Sequence, residues 1–349
     1  MPKHFISGAE CSYEELKSLV TDAMSYKAGK VPDLKGAILT LIFANPSLRT
    51  MLSFESGMKK LGGHVNVMNA ANTWQFEYRD GVVMNEGFQE HIKEAARVIS
   101  RYSNLIGLRN SELITTDASA HAVSSWSECK KDLPITQLAR YATVPVINME
   151  SNMYHPCQGM ADVMTLAERF SVGRGAVDGI SALRKKKYVL TWAPHPKALP
   201  LATPHSQMLT PAMFGMDVTV VHPEGFDLDE DALALGRERA QAAGGSLTVT
   251  NDQKKAFDGA EVIVAKSWAS RRHFGKWDEE SAYRAHFIDW TVTAEKMKRT
   301  RDAYFMHCLP VRRNVVVTDE VLDSPRSLII DEAENRMWIQ MALISYLLT

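Results

Sequence analysis

The sequence predicts an α/β protein of two doubly wound parallel-sheet (αβα) domains facing a cleft. Short apolar runs alternate with amphipathic segments along the chain, the pattern of consecutive βαβ units. The scheme runs twice, once on each side of a helical pattern at 157–170. With 349 residues the chain is long enough for two domains of ordinary size and a substantial core.

Strands are expected in the first half at 36–44, 65–69, 104–108 and 144–148. GAILTLIFA, ending at Ala44, reads as a buried strand. Helical patterns lie at 51–61 and 88–102; in EHIKEAARVISRY the apolar residues recur at steps of three and four. The stretch 110–140 is polar and reads as a long loop. CQGMADVMTLAERF, 157–170, reads as an amphipathic helix joining the halves. Second-half strands are expected at 188–193, 217–222, 247–250, 261–266 and 303–308. Helices fall between them, as in DEDALALGRERAQAAGG, whose final glycines suit a C-cap. DEAENRMWIQMALISYLL closes the chain as a helix. The expected domains are 1–155, to which the helix 331–349 returns, and 156–330.

Composition excludes several classes. Net charge is −1, so no nucleic-acid or anionic-membrane partner is expected. The basic run at 184–187 precedes a strand and reads as a solvated loop. Four scattered cysteines make no disulfide framework, and no His/Cys spacing resembles a metal site. MPKHFISGAE lacks the apolar core of a signal peptide, and no 18-residue apolar span occurs. The expectation is a cytoplasmic protein without metal or cofactor.

In doubly wound sheets ligands collect at the carboxyl ends of strands. After 36–44 come Ser47, Leu48, Arg49 and Thr50, a helix start beside a guanidinium, which suits a phosphate. Taken alone, the turn is better explained by a capping serine with an exposed arginine. Arg109 follows 104–108; Glu150 and then His155 and Gln158 follow 144–148. His195 and Lys197 follow 188–193, Lys266 closes 261–266, and Cys308, Leu309, Arg312 and Arg313 follow the last strand. Each is weak evidence alone; six such strand ends together are harder to dismiss. GRGAVDG (173–179) follows a helix rather than a strand and reads as a linker, and no Walker A sequence occurs.

SLRT at the first turn, HPCQ before the joining helix, HCLP after the last strand and AENR in the closing helix together resemble the carbamoyltransferases. The order matches that superfamily's order along nearly the whole chain. TWQFEY (73–78), TWAPHPK, AKSW and HCLPVRRN are similar to its N-acylornithine branch. The resemblance implies transfer of a carbamoyl group from carbamoyl phosphate to an amine, in arginine biosynthesis. The first domain would bind carbamoyl phosphate and the second the acylated amino acid. It also implies a homotrimer with shared active sites and a knotted chain near the TWAPHPK loop.

Residue by residue, the resemblance implies that Ser47, Leu48, Arg49 and Thr50 cradle the phosphate. Arg109 and His155 would donate to the carbamoyl oxygen; losing one such donor typically costs about 3–4 kcal/mol of barrier. Gln158 and the main-chain carbonyls of Cys308 and Leu309 would hold the carbamoyl NH2, with Arg312 adding positive charge. Trp74 would reach a neighbouring subunit's site. Lys266, Glu150, His195, Lys197 and Gln89 would face the acceptor. Ornithine enzymes have an aspartate where Lys266 stands, and a lysine would repel a free α-ammonium.

Three departures leave the acceptor open. Met51 replaces the second arginine of SxRTR, Val316 replaces a modifiable lysine, and Gln89 stands where the branch has glutamate or proline. N-acetylornithine is the first expectation and N-succinylornithine the second. Ornithine, another amine, or a catalytically silent paralogue remain alternatives.

Overall fold

The computed structural model describes residues 2–69, 75–85, 87–111, 125–171 and 176–349. The described chain divides into two compact units. One comprises 2–69, 75–85, 87–111, 127–157 and 337–349; the other comprises 125–126, 158–171 and 176–336. The expected boundaries at 155 and 331 thus move to 157 and 337, each inside a helix. A long helix does not break where packing changes partner, so its sequence carries no mark of the boundary.

The first unit is built on β1 (Ile38–Phe43), β2 (His64–Asn69), β3 (Phe76–Glu77), β4 (Glu90–His91), β5 (Leu105–Arg109) and β6 (Val146–Glu150). Four of these form a parallel sheet in the order β2-β1-β5-β6, and β3 pairs with β4 separately. All residues of the inner strand β5 are buried, and so are those of the end strand β6, whose outer edge is bridged by Phe5 at Ile147. The helix Ile92–Tyr102 buries Ile92, Ala95, Ala96 and Ile99, one face at three- and four-residue steps. That face joins Ile42, Ile106, Leu108 and Val146 in one apolar cluster.

Three local features depart from the sequence reading. The stretch 110–140 holds the helix Trp126–Cys129 and most of a second helix, Leu133–Tyr141. Pro134 sits in the second helix's first turn, where no N–H is needed, and Ile135 and Leu138 are buried three apart. Polar neighbours hide that short apolar face. The helix Tyr13–Lys27 was signalled only by a capping box, in which Ser12 and Glu15 satisfy each other's main-chain N–H groups. The helix after β1 runs Leu48–Lys60, beginning ahead of 51 because Ser47 caps it.

The second unit carries β7 (Lys187–Trp192), β8 (Asp217–Val221), β9 (Ser246–Thr250), β10 (Val262–Lys266) and β11 (Tyr304–Met306). They form one parallel sheet in the order β11-β10-β7-β8-β9. The helix Ala202–Met213 is buried along its whole length. No described helix is long and apolar enough to cross a membrane.

Within the second unit Gly159, on the helix Pro156–Phe170, packs directly on Ala202–Met213. A Cβ there would lie 2.7 Å from the Ser206 carbonyl oxygen and closer still to Thr210 Oγ1. Thr210 can rotate, but a main-chain carbonyl inside a helix cannot retreat alone. Alanine favours an exposed helix over glycine by about 1 kcal/mol, and overpacking of this kind costs about 1–3 kcal/mol. Gly159→Ala is therefore expected to lower the urea midpoint. An unchanged or raised midpoint would show that the helices separate freely.

Candidate active site

The first unit gathers its polar residues at the carboxyl ends of three neighbouring strands. β1 runs into the turn carrying Ser47, whose hydroxyl accepts the Thr50 main-chain N–H at 3.3 Å. Thr50 is fully buried, Arg49 half-buried and Leu48 exposed. Early N–H groups of a 13-residue helix are directed outward beside one guanidinium, an arrangement that attracts anions. Asn45 ties this turn to the next strand end: its Oδ1 accepts the Ser111 N–H at 2.7 Å.

Phe43, Arg109 and Glu150 occupy one row across β1, β5 and β6. Arg109 is 7% exposed and donates through Nη1 to Glu150 Oε2. His155, 4% exposed, places Nε2 at 3.9 Å from the same Glu150 oxygen. A buried guanidinium without a counter-charge is costly, so the glutamate offsets the charge of Arg109 and fixes its direction. Glu150, expected on the acceptor side, is thus engaged with Arg109.

The 150–155 segment is itself clamped. Asp132, at φ +51°, accepts from Ser151 Oγ at 2.5 Å and from the N–H groups of Asn152 and Met153 at 2.9 and 3.2 Å. Burial pushes its carboxyl up to about 6 against those hydrogen bonds. Sequence reasoning missed Asp132, since nothing local marks it.

The second unit brings together His195, Lys266 and Arg312. β11, β10 and β7 are adjacent, with Lys266 paired to Trp192 at the ends of β10 and β7. Arg312 Nε donates to His195 Nε2 at 3.0 Å. The opposite nitrogen, Nδ1, lies 3.0 Å from the Lys197 carbonyl oxygen and 3.1 Å from the Lys197 main-chain nitrogen. Burial, followed by the charges of Lys266, Arg312 and Arg284, pulls His195 down to about 4, so its ring is neutral near pH 7. Lys197 is exposed and serves His195 through its main chain. Arg313 points elsewhere, paired with Asp319 and Asp323 at 2.8 and 2.7 Å.

The turn after β11 is tightly built. Leu309 sits at φ +54° before a cis proline, and its N–H reaches His307 Nδ1 at 2.9 Å. A leucine in the left-handed region is strained by about 1–3 kcal/mol, which such turns hold where function needs a fixed carbonyl direction. Gln158, on the helix Pro156–Phe170, is 1% exposed.

Gln89 stands apart, exposed just before β4 of the small sheet. Trp74 lies outside the described residues. Met51 is half-buried on the helix Leu48–Lys60. Val316 is 2% exposed and packs in the second unit's core. Among the described residues no cluster of three or more His, Cys, Asp or Glu is arranged to hold a metal ion.

Comparison with known proteins identifies the family. The aspartate/ornithine carbamoyltransferase carbamoyl-P binding domain matches residues 3–168, and the Asp/Orn binding domain matches residues 202–347. N-acetylornithine carbamoyltransferase of Xanthomonas campestris pv. campestris is 40% identical over 348 residues, 99% of this chain and 97% of that protein. N-succinylornithine carbamoyltransferase of Bacteroides fragilis is 34% identical over 326 residues, 92% of each chain. The crystal structure of acetylornithine transcarbamylase complexed with acetylcitrulline superposes with a TM-score of 0.91, at 40% identity and 99% coverage of both chains. The chain belongs to the aspartate/ornithine carbamoyltransferase family.

Proposed function

We propose that the protein transfers the carbamoyl group of carbamoyl phosphate to the side-chain amine of an N-acylated ornithine. N-acetylornithine is the preferred acceptor and N-succinylornithine the second. The products are an N-acylcitrulline and phosphate, in arginine biosynthesis. The observation that carries the acceptor assignment is the pair of positive side chains, Lys266 at the end of β10 and Arg312 bonded to His195, on neighbouring strand ends of the second unit. A free α-ammonium would be repelled there, whereas an acylated amine carries no charge and leaves its carboxylate to be attracted. The similarity to an N-acetylornithine enzyme at 40% identity supports the acetyl group. Gln89 is neutral and would not repel a succinyl carboxylate, which keeps succinyl second.

In this reading Ser47, the Leu48 main chain, Arg49 and Thr50 hold the phosphate. Arg109, paired with Glu150, and His155 donate to the carbamoyl oxygen as it gains negative charge. Gln158 and the carbonyls of Cys308 and Leu309 accept from the carbamoyl NH2. The neutral amine attacks the carbonyl carbon, the C–O bond to phosphate breaks, and the departing phosphate takes the bond pair and the amine's surplus proton. Positioning and charge stabilisation suffice for this reaction; no covalent enzyme intermediate is required.

The proposed assembly is a cytoplasmic homotrimer in which Trp74 completes a neighbour's site. Leu48 and Leu52, 66% and 51% exposed and one turn apart, offer apolar surface for a subunit to cover.

A citrulline-forming assay with carbamoyl phosphate and ornithine, N-acetylornithine or N-succinylornithine tests the reading. Turnover is expected on an acylated amine and not on ornithine; turnover on ornithine alone would overturn the charge argument. The two neighbouring arginines should separate in the same assay. Arg312→Ala is expected to lower kcat/KM about 100-fold, the scale of one lost charge-stabilising donor. Arg313→Ala, which only frees Asp319 and Asp323, should leave kcat/KM within about threefold. Equal losses would mean that Arg312 acts only on the fold.

A further inference from the structure

The reaction as proposed uses Gln158 and the turn after β11, but not the carboxyl pair that both rest on. Asp162 and Glu332 are fully buried in the second unit. Gln158 Nε2 donates to Asp162 Oδ1 at 2.8 Å and to Glu332 Oε1 at 2.6 Å. Glu332 Oε2 accepts the main-chain N–H of His307 at 3.0 Å. Gln207 Nε2 supports Asp162 from the far side at 2.9 Å. One carboxyl group, Glu332, therefore touches both the Gln158 amide and the start of the His307–Leu309 turn.

The consequence for the amide is directional. Both hydrogens of its NH2 group are taken by carboxyl oxygens, so Gln158 Oε1 faces away, buried and without a hydrogen-bond partner. Flipping the amide would set that oxygen against two carboxyl oxygens and leave the NH2 group without acceptors, so only one orientation is stable. The two carboxyls lie side by side against the same Gln158 amide nitrogen. Burial, and then the Asp162 charge, push Glu332 well above the carboxylate range, while burial lifts Asp162 to about 6. Arg336 supplies nearby positive charge, and Tyr188 is buried alongside.

We propose that Glu332, braced by Asp162, is a positioning residue that aims the Gln158 oxygen and the Cys308–Leu309 carbonyls at one NH2 group. Glu332 does not touch the substrate; it makes the protein distinguish a carbamoyl group from an isostere lacking N–H. This rests on the assignment of Gln158, Cys308 and Leu309 to the carbamoyl NH2.

Acetyl phosphate, which has a methyl in place of the NH2, reads the phosphate site without the NH2 site. The experiment measures KM for carbamoyl phosphate and the inhibition constant of acetyl phosphate in wild-type and variant enzyme. Glu332→Gln puts an NH2 group against either Gln158 or His307 and should weaken carbamoyl phosphate about 10- to 100-fold. Acetyl phosphate inhibition should stay within about threefold, since lost NH2 recognition does not enter it. Asp162→Asn should be much milder, because Gln207 can turn its unpaired Oε1 toward the new amide. If Glu332→Gln does not fold, Glu332→Asp keeps the carboxyl but withdraws it by one methylene, and the same selective loss is expected. Equal weakening of both ligands, or no change, would overturn the proposal. Wild-type enzyme that does not prefer carbamoyl to acetyl phosphate would overturn instead the assignment on which it rests.

Discussion

Parallel pairing is the constraint on which the rest depends. A parallel strand must be followed by a crossover before the chain can return, so every β-to-α loop opens on the same edge of its sheet. In the first unit this puts the Ser47 turn, Arg109 and the Glu150–His155 segment on the ends of adjacent strands β1, β5 and β6. In the second it puts His195, Lys266 and the Cys308–Arg312 turn on β7, β10 and β11. Residues more than 100 positions apart in sequence become neighbours without any local signal, as Arg312 and His195 do at 3.0 Å.

Burial then decides how each charged group is kept usable. Arg109 is held by Glu150, whose carboxylate offsets the buried guanidinium charge. His195 has no such partner and is surrounded by cations, so it is neutral and accepts from Arg312. Asp162 and Glu332 are both fully buried against the Gln158 amide, and burial lifts both carboxyls above their ordinary range.

The sequence made the strand ends legible because their residues lie in short contiguous runs. SLRT, HPCQ and HCLP each sit between a strand and its loop or helix, where the apolar pattern stops. The supports were not legible. Asp132 clamps 151–153 from a loop 19 residues away, and Glu332 meets Gln158 across 174 positions. Such pairings are fixed by helix packing rather than by spacing. The helix Leu133–Tyr141 was hidden for a related reason: its buried face is only a few residues wide, so polar neighbours outweighed it. The capping box at Ser12 and Glu15, by contrast, was present in the sequence and marks a helix start by itself.

Val316 shows how packing can redirect recognition. The motif it resembles carries a lysine there, but this side chain is 2% exposed among Val292, Phe305, Val317 and Leu322. A lysine at that position would have to lose its charge, find a buried partner or push its head out to water. Valine removes the difficulty and adds apolar contact. In the proposed reading the positive charge facing the acceptor then has to come from Lys266, at the end of β10, and Arg312, on the turn after β11. On that reading acceptor preference rests on charge at the strand ends of the second unit and not on the position that Val316 fills.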